Sequence, residues 1–288
     1  MSATAIKHER PASLTEALNF LQRDRFRIIA GGTDYYPSLN DSAPSDPVLD
    51  ITAIDGLRGI TINESGVTIG ALCSWTDIVN ADLPPAFRAL QLAALEVGSV
   101  QIQNRATIAG NLCNASPAAD GVPPLLVLDA SVTLESADGT RTLPLAEFIR
   151  GNRNIQKNQD EILTGISIPA VCCQGVSDFL KLGARKYLVI SIAMVACRVS
   201  VTNDKFTSAA ISVGSCSETA VRLHELESAL IGQSATSKSI ASTVTGGPIP
   251  LKPIDDVRST AVYRSEAAAT LISRSLQRCI ENPAKADT

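Results

Sequence analysis

An α+β fold is expected for this chain, because its strand-like and helix-like segments come in separate groups instead of alternating strictly. Two polar-turn hairpin patterns occupy the middle of the sequence, a third follows near residue 203, and helix-like segments lie at the start, between Ser74 and Val97, and toward the end. In order, Ser13-Leu-Thr-Glu16 has the form of a capping box and opens a helix with Leu14, Ala17, Leu18 and Leu21 on one face. Arg27 to Ala30 is a short strand running into Gly31-Gly32, and Val48 to Ile51 is another, which gives a small β/α unit ending near residue 55. Ile60 to Ile62 and Val67 to Ile69 alternate apolar and polar across Asn63-Glu-Ser-Gly66, a hairpin. Ser74-Trp-Thr-Asp77 starts a second helix with Trp75, Ile78 and Val79 inward, and Trp75 is read as core. A third helix spans Ala86 to Val97. After a loop at 104–123 come a buried run, Leu125 to Leu128, and a hairpin over Ser131 to Leu145 that turns at Asp138-Gly139. Ile162 to Ile168 is a further strand. From Val176 the pattern changes to a hairpin around Asn203-Asp204 and two helices, Ala220 to Ile231 and Val257 to Ile280, the last with Ile272, Leu276 and Ile280 on one face.

Composition excludes several functions. Net charge is −4 and no basic run occurs, which argues against nucleic acid. The longest apolar stretches are far too short to span a bilayer, and residues 1–11 lack a signal-peptide core, so a cytoplasmic protein is expected. The seven cysteines are odd in number, irregularly spaced and without Cys-x-x-Cys, which fits small buried hydrophobes better than disulfides or clusters. His8 and His224 are the only histidines and read as surface residues; a zinc site or a Ser-His-Asp triad is not expected.

Two segments carry the chemistry. Ala30-Gly-Gly-Thr-Asp34 follows a strand, and its glycines leave successive N–H groups free to converge on an anion such as a diphosphate. A Rossmann site is disfavoured, since the third glycine is missing and Pro37, Pro44 and Pro47 leave no room for a long helix; Asp50 is read as a strand end. The second segment, Gln103 to Asp120, is long, polar and rich in small residues. Read as a structureless loop of functional type, it offers Thr107, Asn111, Asn114 and Ser116 as hydrogen-bonding side chains and Gly110 for close approach.

Together these segments closely resemble the FAD-binding medium subunit of molybdenum hydroxylases, the carbon monoxide dehydrogenase and xanthine dehydrogenase flavoprotein family. The likeness extends over the whole chain, with Glu161-Ile-Leu163, Phe179-Leu-Lys181, Arg185 and Tyr263-Arg264 also in place. The resemblance implies an FAD-binding fold of the vanillyl-alcohol-oxidase type with two subdomains, residues 1–55 and 56–175, and a C-terminal α+β flavoprotein domain, 176–288. It implies that Ile28, Ile29, Ala30, Gly31, Gly32, Thr33, Asp34 and Tyr35 clasp the diphosphate and ribityl chain with Thr107, Ile108, Ala109, Gly110 and Asn111. Asp120 would bind along the FAD chain, and Leu163 with the segment Tyr187 to Ile192 would border the isoalloxazine. The implied partners are a large molybdopterin subunit and a small subunit with two [2Fe–2S] clusters, as a heterotrimer or a dimer of heterotrimers. No residue is assigned as catalytic and none as a metal ligand.

Four positions depart from the family pattern: Ala109 stands where glycine is usual, Tyr35 and Tyr36 where aliphatic residues are common, and Ile192 where xanthine dehydrogenase has a lysine, which bears on direct use of NAD. The implied role is an electron relay from the clusters to a quinone, oxygen, NAD or a dye-like carrier. A stand-alone flavin oxidase of the vanillyl-alcohol-oxidase type, with Cys113 as a covalent attachment point, and a binding module that has lost its flavin are the alternatives.

Overall fold

The computed structural model describes residues 7–40, 42, 45–186 and 188–281. The first unit is a three-stranded sheet of β1 (His8–Glu9), β2 (Arg27–Ile29) and β3 (Val48–Asp50), ordered β1-β3-β2 with all pairs parallel. The helix α1 (Leu14–Arg23) crosses between β1 and β2 and buries Ala17, Leu18 and Leu21, as its periodicity requires. Ser13 caps it through Glu16 N, but Glu16 reaches back to the Ala12 N–H, not to Ser13, so the box is displaced by one residue. His8, expected in a polar leader, belongs to β1 and is exposed. A single turn, α2 (Tyr35–Ser38), follows β2.

The second unit is a five-stranded antiparallel sheet, β4-β5-β10-β6-β7. Its strands are β4 (Ile60–Asn63), β5 (Gly66–Gly70), β6 (Ser131–Ser136), β7 (Gly139–Pro144) and β10 (Ile162–Pro169). Both hairpins form at the turns read from the sequence, and β10 inserts between them as the central strand. Five helices pack nearby: α3 (Trp75–Asn80), α4 (Arg88–Glu96), α5 (Val100–Gln103), α6 (Ile108–Asn114) and α7 (Val122–Val127). The expected structureless loop at 104–123 is thus replaced by α6 and the start of α7. A short helix α8 (Leu145–Phe148) leads into the small hairpin of β8 (Ile149–Gly151) and β9 (Asn154–Ile155). Trp75, Phe87, Ile108, Leu112, Leu125, Phe148 and Ile166 lie in one buried cluster.

The third unit is the antiparallel sheet β11 (Val176–Leu182), β12 (Ala193–Thr202), β13 (Lys205–Gly214) and β14 (Val221–Arg222). Residues 193–199 are buried on both faces, which explains the apolar run 193–197 where a half-exposed strand would alternate. Ala193, Val195, Cys197 and Val199 pack with α9 (His224–Leu230), α10 (Ser237–Gly246) and α11 (Ala261–Glu281). Met194 and Ala196 face the other way, onto Ala89 and Ala93 of α4 and Val127 of α7, and so join this unit to the second. The helix expected from Ala220 begins only at His224, since Val221 and Arg222 form β14; α10 was not anticipated, and α11 starts at Ala261 and not at Val257. Among the described residues no helix is long and apolar enough to cross a membrane.

Candidate functional site: a two-lobed cleft

The cleft is built where β2 ends. Ile29 is held by Val48 and Tyr35, and the chain then turns through Ala30, Gly31 and Gly32. Gly31 lies directly on the backbone before α6: a Cβ there would sit 2.0 Å from the Arg105 carbonyl oxygen and 2.9 Å from Ala106 Cα. The residue type is therefore required by contact between the two segments, not by a positive φ. Gly32 does have φ +71°, and a Cβ there would meet the Tyr36 ring at 2.6 Å.

The second segment is fixed from its other side. Ile108 N donates to the Cys73 carbonyl at 2.9 Å and Trp75 N to that of Ala106 at 3.2 Å. Thr107 caps α6, its Oγ1 accepting from Gly110 N at 3.1 Å. Ala109 is helical with no positive φ, so alanine is accommodated without strain. Ile108 and Leu112, four residues apart, point into the core, which leaves the other face of α6 to line the cleft.

One lobe, of about 410 Å³, is walled by Gly31, Gly32, Thr33, Asp34 and Tyr35 on one side and Thr107, Gly110 and Asn111 on the other. The other lobe, of about 530 Å³, is lined by Ala109, Phe26, Ile162, Leu163, Lys157 and neighbours. Arg27, Ile28, Ala30, Gly110 and Cys113 border both, so the lobes share a waist of mostly small side chains. Trp75 Nε1 and Asn111 Oδ1, on residues of the smaller lobe, are buried without a hydrogen-bond partner. Trp75 is fully buried, the core role expected of it.

Not every expected residue reaches this cleft. Ile108 is core. Asp120 is buried, with Oδ2 accepting from Lys181 Nζ at 2.7 Å and Oδ1 from the Ser191 hydroxyl at 2.8 Å, and it lines neither lobe. Burial pushes its carboxyl above the usual range even though Lys181 acts in the opposite direction. Ile192 is buried, its carbonyl accepting from Arg264 Nη1 at 2.6 Å, and it lines neither lobe. Tyr187 lies outside the described residues. Tyr35 is buried with its ring edge-on to Tyr36 at 5.2 Å and the Arg27 guanidinium 5.3 Å above it.

Residues that the sequence did not flag complete the site. Arg153 pairs with Asp34 at 3.0 Å and also donates to Asn114 Oδ1, while Asn114 Nδ2 donates to Asp34 at 3.3 Å, which pins the first loop to α6 and to the turn between β8 and β9. Lys157 donates to the carbonyls of Asn158 and Glu161, and burial lowers its ammonium pKa. Beside it Cys113 is pushed up to about 11 by burial and stays a thiol at neutral pH. Arg25 bridges to Gln159, 134 positions away. Such distant partners leave no local sequence signal.

The family model for the FAD binding domain in molybdopterin dehydrogenase matches residues 4–171, and that for the CO dehydrogenase flavoprotein C-terminal domain matches 178–279. The chain belongs to this family. It is 35% identical over 269 residues to the nicotinate dehydrogenase FAD-subunit of Eubacterium barkeri, covering 89% of this chain and 90% of that one. It is 30% identical over 274 residues to the glyceraldehyde dehydrogenase medium chain of Sulfolobus acidocaldarius, covering 93% and 96%. The fold superposes on a solved carbon monoxide dehydrogenase chain from Hydrogenophaga pseudoflava, described as lacking the Mo-pyranopterin moiety of its molybdenum cofactor, with a TM-score of 0.88, 25% identity and coverage of 99% and 100%. This is therefore an FAD-binding subunit of the molybdenum hydroxylase type, and the cleft suits that cofactor. A dinucleotide has two ring systems joined by a diphosphate, and the structure has two lobes that share a border, with an indole donor and an amide acceptor unpaired beside one of them.

Proposed function

We propose that this chain is the electron-relay subunit of a molybdenum hydroxylase. In that role it would receive electrons that originate at a molybdopterin centre in a large subunit and pass through two [2Fe–2S] clusters in a small subunit, and would hand them to an external acceptor. FAD supplies the two-electron to one-electron exchange that such a relay needs. The protein's own part is binding and orientation. Backbone amides of residues 31–34, with Thr107, Gly110 and Asn111 opposite, would hold the diphosphate in the smaller lobe beside the waist; Ile28, Ala109 and Leu163 would exclude water from the larger lobe; Arg153 keeps the two loops closed on each other. The division into 1–55, 56–175 and 176–288 is supported by the three larger sheets, one in each segment, with the small β8-β9 hairpin inside the second. The single observation that carries this reading is the backbone-on-backbone contact of Gly31 with Arg105, which brings both small-residue segments onto one cleft.

Neither histidine lines the cleft, and the raised thiol pKa of Cys113 makes it a poor nucleophile, both of which speak against a covalent flavin and a stand-alone oxidase. Affinity purification from the native host tests the proposal. It is supported if flavin, molybdenum and iron co-purify with a large and a small subunit, and rejected if the chain is isolated alone, with its own substrate turnover and no metal.

A further inference from the structure

Away from the cofactor cleft, a cavity of about 330 Å³ opens between α4, β11 and the end of α11. Its chemistry is not explained by the fold. Asp178, on β11, is 5% exposed, and its Oδ2 has no hydrogen-bond partner. Arg88 and Arg278 line the same cavity; burial raises the Asp178 carboxyl above the usual range, and the two guanidiniums act in the opposite direction. Yet among the described residues neither guanidinium makes an ion pair or a hydrogen bond. Of the other polar groups, Ser177 Oγ accepts from Ala89 N at 2.8 Å and Cys279 Sγ faces the Cys197 carbonyl, while Glu281, which also lines the cavity, is exposed to solvent. A buried carboxylate oxygen without a partner is costly, and two guanidiniums held apart from it leave a gap lined by acceptor on one side and donors on the other.

The occupant of such a gap must accept from arginine and donate to aspartate. A metal ion is excluded by the two arginines. An anion that only accepts, such as sulfate, would set its oxygens against Asp178. We propose that this cavity binds a phosphate group that keeps a proton, its P–O–H donating to Asp178 and its anionic oxygens accepting from Arg88 and Arg278. Because α4 belongs to the second unit and β11 and α11 to the third, the bound phosphate bridges the two.

The test is calorimetric titration and thermal unfolding of the FAD-loaded full chain with potassium phosphate and potassium sulfate at equal ionic strength, with glycerol phosphate as a third arm. Saturable binding and a raised Tm with phosphate but not sulfate are expected. A response to glycerol phosphate as strong as to inorganic phosphate assigns the site to a phosphomonoester, and a response to inorganic phosphate alone assigns it to the free ion. Arg278→Gln should weaken phosphate binding, and Asp178→Asn, whose amide can donate, should admit sulfate and reduce the preference for phosphate by roughly tenfold to a hundredfold. Equal responses to phosphate and sulfate in the unsubstituted protein, no response to either, or an unchanged preference in a folded Asp178→Asn chain would each overturn the proposal.

Discussion

Replacing Gly31 by alanine is the sharpest perturbation of the cleft. The new Cβ would lie 2.0 Å from the Arg105 carbonyl oxygen, against 3.4–4 Å for ordinary contact, and the atoms it meets are backbone. The two loops must therefore separate by about 1.4 Å, since a side-chain rotation cannot relieve the overlap. A hydrogen bond of about 2.9 Å stretched by that amount is lost. If one amide-to-phosphate bond goes, worth roughly 1.5–3 kcal/mol, the FAD dissociation constant rises by roughly 10- to 150-fold. Overpacking lowers stability by a further 1–3 kcal/mol, roughly. The assay is flavin fluorescence titration of the apo-chain, with Tm measured in parallel. Gly56→Ala is the control: it has φ +86° and nothing within 4 Å, so it should cost about 1 kcal/mol of stability and leave FAD affinity alone. Wild-type FAD affinity in a folded Gly31→Ala chain would refute the reasoning.

Three further outcomes are expected. Thr107→Ala should lower stability by about 1 kcal/mol and weaken FAD, while Thr107→Ser retains both, because the cap needs only the hydroxyl; urea unfolding and titration check this. Arg264→Met should cost about 3 kcal/mol or more by urea unfolding, since it strips the donors from the Ile192 and Ser215 carbonyls and from Asp256. The Arg141 guanidinium, paired with Glu161 at 2.5 Å, holds that carboxyl below its ordinary 4.5. The contribution is thus complete above that value and is lost as pH falls below it. Glu161→Gln should flatten this acid limb and cost about 1 kcal/mol at neutral pH, read from Tm against pH.

Hairpins were the most legible part of the sequence, because Asn63 to Gly66 and Asn203-Asp204 fix their turns locally. The helices that escaped notice lack that kind of signal. Seven residues long, α6 contains Gly110, Asn111 and Asn114, all poor helix formers, and owes its stability to Ile108 and Leu112 in the core and to the Thr107 cap. Rich in serine and β-branched residues, α10 declares itself only through Ile240 and Val244 at four-residue spacing. At the site, the glycines and small polar residues were visible because their function needs no partner. Arg153, Lys157 and Arg25 were not, since each acquires its role only once distant segments meet.

The decisive measurement is a crystal structure of the FAD-loaded chain. Diphosphate density between residues 31–34 and 107–111 is the expected result. FAD bound elsewhere, with those two segments packed against each other's side chains and no room between them, would contradict the account.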